Sequence, residues 1–192
     1  MLGKTITVLL LSLTVVLAAP TRAAQAIFAG GSFWVMDALF AERPGVANVA
    51  AGWIQTSSRQ QRRQAVRVEY DSQQISYGEL LTLYWAVVDV FDKEGQFCDR
   101  GREYSPALYV QTALQQRFAQ QSRAKLELEL GKQIQVRILP ASPFTPALAR
   151  HQQYYRQHPL LYGGYRRVCG YPAGEKLRLS TLAGAPFATS AQ

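Results

Sequence analysis

The apolar residues of this chain recur with two different periods, which alternate from one segment to the next. In residues 65–70, Val66 and Val68 alternate with charged neighbours, which is the pattern of a half-buried strand. Residues 80–88 space their apolar side chains three and four positions apart, as an amphipathic helix does. Ser76 and Glu79 precede this helix with the spacing of a capping box. The predicted strands are residues 26–29, 46–54, 65–70, 107–111 and 133–139, and the predicted helices are residues 33–40, 80–88, 114–130 and a tyrosine-rich segment near 151–158.

The order of these elements predicts the fold class. Helices that alternate with single or paired strands are typical of an α+β two-layer sandwich of the ferredoxin-like, split βαβ type, with the helices against a mixed sheet. Residues 89–105 lack periodicity, and a loop of this length in a compact domain is usually functional or disordered. Its aromatic and charged residues argue against disorder. No repeat or linker divides the chain, so we expect residues 25–192 to form one domain with an irregular C-terminal tail.

The N-terminus has the pattern of a secretory signal peptide. Lys4 precedes a continuous apolar run over residues 5–17, and small residues follow as far as Ala26. The run is short for a bilayer span, although a retained N-terminal anchor is the alternative. We therefore expect residues 1–24 to be removed, with cleavage near Ala23 to Ala26, and the mature protein to be periplasmic or secreted. Nothing else in the sequence has the length and apolarity of a membrane span.

Composition and charge exclude several classes. A chain of 192 residues that is 48% hydrophobic and 18% charged can bury the core of a globular domain. The formal net charge is +8, but the basic residues are scattered among glutamines and form no nucleic-acid motif. We expect a monomer with a solvated basic surface and no nucleic-acid partner.

The exported part of the chain contains two cysteines, Cys98 and Cys169. In an oxidising compartment such a pair favours a disulfide, whose closed loop would stabilise the fold by about 4 kcal/mol in the chain-entropy model. Two unpaired thiols are the alternative. The spacing fits no zinc pattern, so we expect no metal site.

The segment around Ser32 is typical of a site that presents a reactive side chain. A short strand reaches Gly30 and Gly31, then Ser32, then the aromatic pair Phe33 and Trp34 at the start of a helix. A side chain at this position lies at the positive end of the helix dipole. The simpler interpretation is that Ser32 caps the helix and that the two aromatic residues belong to the core.

Residues 29–34 closely resemble the glycine-glycine-cysteine-phenylalanine-tryptophan signature of the peptide methionine sulfoxide reductase A family, with Ser32 at the position of the catalytic cysteine. The resemblance covers roughly residues 26–172, nearly the whole mature chain. Its further motifs lie at residues 44–46, 51–52, 70–71, 75–81, 99–105, 138–144 and 151–155 and at Pro159.

The resemblance implies a reaction that this chain lacks the means to perform in the usual way. In the family a cysteine thiolate attacks the sulfoxide sulfur, methionine leaves, and a thioredoxin-type reductant later restores the cysteine. A serine hydroxyl is a poor substitute, since it has no reversible oxidation states. The family pattern histidine-alanine-glutamate-alanine-valine aligns with residues 62–66, so Arg63 replaces alanine and Gln64 replaces the acid. Between Gly52 and Gln64 the chain is also shortened and lacks the first tyrosine that binds the sulfoxide oxygen.

In this interpretation the chain keeps the part of the family site that binds the substrate. The resemblance implies that Phe33 and Trp34 hold the methyl group, that Tyr104 supplies a hydroxyl and that Asp99 makes a polar contact. Glu103 stands where glutamine is usual, and residues 105–106 are serine-proline in place of arginine-serine.

Three functional hypotheses follow. The first is an exported family member with weak or no reductase activity that binds a methionine-sulfoxide-containing peptide or protein, without a bound cofactor. The second is an active methionine-S-sulfoxide reductase in which Cys98 replaces the nucleophile and Cys169 resolves it, with a thioredoxin-type reductant. The third is a structural or protein-partner module. An engineered cysteine-to-serine change at position 32 would leave Gln64 and the shortened loop unexplained.

Overall fold

The computed structural model describes residues 23–55 and 61–172. Its strands are β1 (Ala24–Ala29), β2 (Val46–Gln55), β3 (Arg62–Tyr70), β4 (Gly95–Gln96), β5 (Asp99–Arg100), β6 (Ala107–Val110), β7 (Arg137–Pro140) and β8 (Phe144–Pro146). Its α-helices are α1 (Phe33–Phe40), α2 (Tyr77–Val87), α3 (Ala113–Leu130), α4 (Tyr154–Gln157) and α5 (Pro159–Val168). Short 3₁₀ turns cover Arg102–Tyr104 and Ala149–His151.

One mixed sheet carries the fold. Its strands lie in the order β7-β6-β1-β3-β2-β8, while β4 and β5 form a separate small hairpin. The neighbouring strands are antiparallel except for β6 and β7, which are parallel and joined through α3. The predicted α+β fold, with helices against a mixed sheet, is confirmed.

The two faces of the sheet carry different sets of side chains, because successive residues of a strand point to opposite faces. One face contributes to a large apolar core and the other to a small apolar cluster. One face carries Phe28, Val66 and Leu108 into the main core under the helices. There the ring of Phe28 lies 4.7 Å from that of Phe40 on α1 and 5.5 Å from that of Tyr84 on α2. The other face carries a small cluster formed by Ile27, Ala29, Ile54, Ala65, Ala107 and Tyr109.

The helix ends follow the local sequence. At the start of α2, Glu79 N–H donates to Ser76 Oγ at 3.2 Å and Ser76 N–H donates to Glu79 Oε2 at 2.7 Å, so the capping box is present. Helix α3 begins at the cap Thr112 and ends at Gly131, whose φ of 62° is the left-handed conformation that glycine adopts readily.

Two predicted segments differ from the structure. Strand β7 begins only at Arg137, since the N–H of Gln135 donates to Val90 O at 2.7 Å and residues 133–136 do not join the ladder. The tail is not irregular over residues 159–168, where α5 begins with Pro159 in its first turn. Gly163 and Gly164 are poor helix formers, and the helix is held by a face that packs on the core.

The predicted signal peptide lies almost wholly outside the described residues, as does the chain from residue 173 onward. In the part of the chain that the structure describes, we find no helix with the length and apolarity needed to cross a membrane.

Candidate functional site

Ser32 lies where the central strand β1 turns into helix α1. It is the N-cap of that helix, and its Oγ accepts a hydrogen bond from Trp34 N–H at 3.2 Å. Its side chain is buried, with 6% of the residue exposed. The turn requires Gly31, whose φ is +81° and where a Cβ would lie 2.5 Å from the Tyr171 hydroxyl.

The first N–H groups of α1 are bound by two of the predicted site residues. Ser32 N–H donates to Asp99 Oδ2 at 3.3 Å, and Phe33 N–H donates to Gln64 Oε1 at 3.1 Å. Gln64 is itself buried on β3. The structure therefore brings Ser32, Gln64 and Asp99 together at one helix terminus, with neutral or anionic oxygens on its free N–H groups.

Tyr104 lies against the same turn. Its backbone oxygen accepts a hydrogen bond from Gly31 N–H at 2.9 Å, and its half-buried side chain lies beside that of Gln64. Burial raises the pKa of the Tyr104 hydroxyl, with a further rise from the nearby Glu103 carboxylate, while the Gln64 side chain opposes the shift. The hydroxyl therefore stays protonated near neutral pH and can donate a hydrogen bond.

Two residues that the sequence analysis missed complete this site, namely Tyr165 on α5 and Tyr171 beyond it. The hydroxyls of both donate to Asp99 Oδ2, that of Tyr171 at 2.7 Å, and they lie 3.4 Å from each other. The Tyr165 phenol also lies beside the Ser32 side chain. Burial is the main cause that raises the pKa of both phenols, and their contacts with Asp99 raise it further.

Cys98 and Cys169 form a disulfide, with their Cα atoms 5.2 Å apart. It joins the β4–β5 hairpin, where Asp99 follows Cys98, to the residue after α5. Because Cys169 lies between Tyr165 and Tyr171, the crosslink holds the two phenols beside the carboxylate that they bind. Cys98 is exposed and Cys169 half-buried.

The aromatic pair after Ser32 is packed by aromatic residues from three other segments. Phe33 is 4% exposed, and its ring lies 5.6 Å from that of Trp53 and 5.7 Å from that of His151. Trp34 is half-buried and stacks on Tyr154, with the ring centroids 3.9 Å apart. Phe33 is thus a core residue, while Trp34 lies at the edge of the core. Among the described residues, the buried Trp34 Nε1 has no hydrogen-bond partner.

Asp37, one turn further along α1, is a buried acid that the sequence analysis did not assign to the site. It is fully buried, and its Oδ2 accepts a hydrogen bond from Gln153 N–H at 2.7 Å. Burial raises its pKa from 3.8 to about 6, against the opposing effects of the Gln153 bond and the charge of Arg156. This contact fixes residue 153 immediately before Tyr154, which stacks on Trp34.

The site presents hydroxyl and amide groups that can hydrogen-bond an acceptor oxygen of a ligand. Within residues 23–55 and 61–172, no group of three histidine, cysteine or acidic side chains is arranged to hold a metal ion. The groups nearest to Ser32 are the phenols Tyr104 and Tyr165, the amide of Gln64 and the carboxylate of Asp99. Tyr104 and the Gln64 amide can donate hydrogen bonds to a polar ligand, whereas the Tyr165 hydroxyl already donates its hydrogen to Asp99 Oδ2.

Comparison with known proteins agrees with the signature around Ser32. The family model described as peptide methionine sulfoxide reductase matches residues 24–178. Peptide methionine sulfoxide reductase MsrA 2 of Caulobacter vibrioides is 40% identical over 170 residues, which cover 82% of this chain and 85% of that protein. MsrA 1 of Lactococcus lactis subsp. lactis is 39% identical over 151 residues, or 72% of this chain and 82% of that protein.

Solved structures show the same relationship. Methionine sulfoxide reductase A of Corynebacterium diphtheriae superposes with a TM-score of 0.61 at 26% identity, covering 74% of this chain and 77% of that chain. The fold, the signature at residues 29–34 and the extent of these matches lead to one conclusion: the chain belongs to the peptide methionine sulfoxide reductase family.

Proposed function

We propose that this protein is an exported member of its family that binds methionine sulfoxide in peptides or proteins and has weak or no reductase activity. The proposal rests on the identity and the hydrogen bonding of residue 32. Its oxygen is engaged as the helix cap by Trp34 N–H at 3.2 Å, at the position where the family's reaction needs a thiolate. The protein would therefore keep a ligand site while lacking the group that reduces the ligand.

The acid position supports the same conclusion. Gln64 accepts from Phe33 N–H and lies beside Tyr104, but its amide cannot deliver a proton as a carboxylic acid does. Loss of the nucleophile and of the acid on two separate elements is a coordinated change. A single substitution at position 32 would not account for both.

Binding is supported by the hydrogen-bond donors around Ser32. A sulfoxide oxygen is a strong acceptor, and three phenols with raised pKa values lie at this turn, namely Tyr104, Tyr165 and Tyr171. We propose that Tyr165, which lies beside Ser32, supplies the hydroxyl that is lost with the shortened loop between β2 and β3. Its hydrogen, donated to Asp99 Oδ2 in this structure, would turn to the sulfoxide oxygen when the ligand binds. The methyl group of the ligand would then contact the exposed edge of Trp34.

Export belongs to this proposal. Ala24 pairs with Tyr70 and Ala26 pairs with Val68 in the β1–β3 ladder. Signal cleavage after Ala23 would leave β1 whole, whereas cleavage after Ala26 would remove half of the strand. We therefore favour Ala23 as the last residue removed. The mature protein would act as a monomer without a bound cofactor.

The decisive experiment combines binding with turnover on the purified mature protein. Isothermal titration with a peptide that contains methionine-S-sulfoxide should give saturable binding, weakened about tenfold in Tyr165→Phe. Incubation of the same peptide with dithiothreitol should give no methionine by mass spectrometry. Ser32→Cys should restore little turnover, since Gln64 and the shortened loop remain. No binding at millimolar peptide, or an ordinary reductase rate in Ser32→Cys, would contradict the proposal.

A second candidate function is favoured by the disulfide. In a cysteine-based cycle the Cys98 thiolate would attack the sulfoxide sulfur and methionine would leave, with Cys98 oxidised to the sulfenic acid. The Cys169 thiol would then displace water and form the disulfide, and an external dithiol would reduce that bond. The bonded pair beside Asp99 corresponds to the last oxidised state of this cycle.

The same turnover assay distinguishes the two candidates. Methionine production by the wild-type protein that disappears in Cys98→Ser would establish the cysteine-based reductase and exclude the non-catalytic one. A matched control is Ser122→Ala, because Ser122 Oγ accepts from Trp85 Nε1 between α2 and α3 and bonds none of the described residues named at this site. It should leave any turnover unchanged.

A further inference from the structure

A second polar site lies on the opposite face of the sheet from Ser32. Arg63 is the neighbour of Gln64 on β3, and successive side chains of a strand point to opposite faces. Its side chain is buried, with only 5% of the residue exposed. Its Nε donates to Ser105 Oγ at 3.0 Å and its Nη1 donates to the Tyr109 hydroxyl.

Both of these partners are neutral. The ion pairs found among residues 23–55 and 61–172 do not include Arg63. Moving a cation out of water is unfavourable unless an anion or several hydrogen bonds compensate it. Ser105 Oγ accepts from Arg63 and donates its own hydrogen to Arg102 O at 2.7 Å, so this hydroxyl both accepts and donates a hydrogen bond. A buried guanidinium with this environment is the recurrent anchor of a site that receives a negatively charged ligand.

The cavity that borders Arg63 has the matching charge. Its volume is about 630 Å³, which is in the range of small-molecule sites. One carboxylate and five cations contribute to its wall, namely Glu94 with Arg63, Lys93, Arg100, Arg102 and Arg137. Arg100 pairs with Asp92, while the other four cations take part in none of the ion pairs within the described ranges.

We infer that this cavity binds a phosphate group, either the free ion or a small phosphomonoester. Four of the cations have no carboxylate partner among the described residues. A carboxylate ligand would bring only one negative charge to them, whereas a phosphate dianion brings two and offers several acceptor oxygens. The planar fork of arginine fits two of those oxygens at once. Arg63 is the fixed, buried contact, and the exposed side chains of Arg102 and Arg137 approach the ligand from the rim. The site does not depend on the proposed function at Ser32.

Titration calorimetry at constant ionic strength tests the inference. Sodium phosphate and glycerol phosphate are titrated separately into the mature protein in a chloride buffer, because chloride controls for general screening. We expect saturable binding of at least one of them at submillimolar to millimolar concentration. Tighter binding of glycerol phosphate would identify an ester site, and equal affinity would identify a site for the ion.

Substitutions locate the binding in the cavity. Arg102→Gln and Arg137→Gln should each weaken phosphate about tenfold. Arg117→Gln is the matched control, since this exposed arginine on α3 does not line the cavity. Equal weakening in the control and in the rim variants would overturn the inference, as would the absence of saturation up to about 10 mM of either probe.

Arg63 requires a separate readout, because its removal leaves two buried oxygens without a donor. The thermal midpoint of the wild-type protein should rise with phosphate concentration, as linkage requires for a ligand of the folded state. In Arg63→Met the starting midpoint should be lower and its rise with phosphate should disappear. An undiminished rise in that variant would show that phosphate binds elsewhere.

Discussion

Asp37→Asn should make this protein more stable at neutral pH, although it removes a charged group from the core. The Asp37 side chain is fully buried, its Oδ2 accepts from Gln153 N–H at 2.7 Å, and its Oδ1 has no hydrogen-bond partner among the described residues. Asparagine keeps an oxygen for the Gln153 bond and removes the negative charge. The variant therefore separates the effect of the charge from that of the hydrogen bond.

The raised pKa gives the size and the sign of the effect. Its pKa is 3.8 in the unfolded chain and about 6 in the folded protein. Between these values the folded protein holds a proton that the unfolded chain has lost, so stability falls as the pH rises. Above pH 6 the whole difference is present, and two pKa units correspond to about 3 kcal/mol. The variant should thus equal the wild type near pH 4 and exceed it by up to about 3 kcal/mol at pH 8.

Urea unfolding of both proteins at five pH values between 4 and 8 checks this result, because all other groups titrate in both chains and cancel in the difference. Asp71→Asn is the control of opposite sign. Hydrogen bonds from Gln74 and Gln73 lower the pKa of Asp71, so its replacement should be destabilising above that pKa. A difference between Asp37→Asn and the wild type that stays constant from pH 4 to 8 would refute the argument.

Three further changes test the elements that hold the site. Cys98→Ser/Cys169→Ser opens a loop with a sequence separation of 71, and the free energy of unfolding in urea should fall by about 4 kcal/mol in the chain-entropy model. Dithiothreitol should lower it only in the wild type. Ser76→Ala removes the capping box of α2 and should lower stability by about 1 kcal/mol in the same assay. Gly31→Ala forces a side chain into a left-handed turn with an atom 2.5 Å away. Its thermal midpoint should fall further than that of Gly131→Ala, where the added Cβ meets open space.

Much of the fold was predictable because local signals and burial agree. The alternation in residues 65–70 corresponds to the part of β3 where Val66 and Val68 are buried and Arg67 and Glu69 are half-buried. The serine-to-glutamate spacing at residues 76–79 corresponds to an observed capping box. Helix α5 was not predictable in this way. It contains two adjacent glycines, and what holds it is a set of contacts with residues far away in sequence: the Cys169 disulfide and the Tyr165 bond to Asp99.

The candidate site likewise has residues that the sequence predicted and residues that only the structure identifies. The signature around Ser32 and the resemblance to a family located Gln64, Asp99 and Tyr104, all of which contact the first turn of α1 or each other. Tyr165 and Tyr171 belong to no sequence motif near that turn. Ten tyrosines occur in the chain, and only the three-dimensional path of the tail distinguishes these two. A disulfide expected on compositional grounds was the one signal that could have placed the tail beside Asp99.

The residues on β3 suggest how the site and the opposite cavity are related. The family pattern has alanine at position 63 and arginine at position 105, whereas this chain has Arg63 and Ser105, and the two are hydrogen-bonded at 3.0 Å. In this chain the guanidinium of the contact therefore belongs to residue 63 on β3. The adjacent Gln64 is neutral, and its Oε1 accepts from Phe33 N–H on the other face of the strand. A buried guanidinium with neutral partners is costly, and an anion bound in the cavity would offset that cost. Phosphate binding by Arg63→Ala/Ser105→Arg, which moves the guanidinium to the facing position of this contact, tests whether the ligand requires the charge there or Arg63 itself.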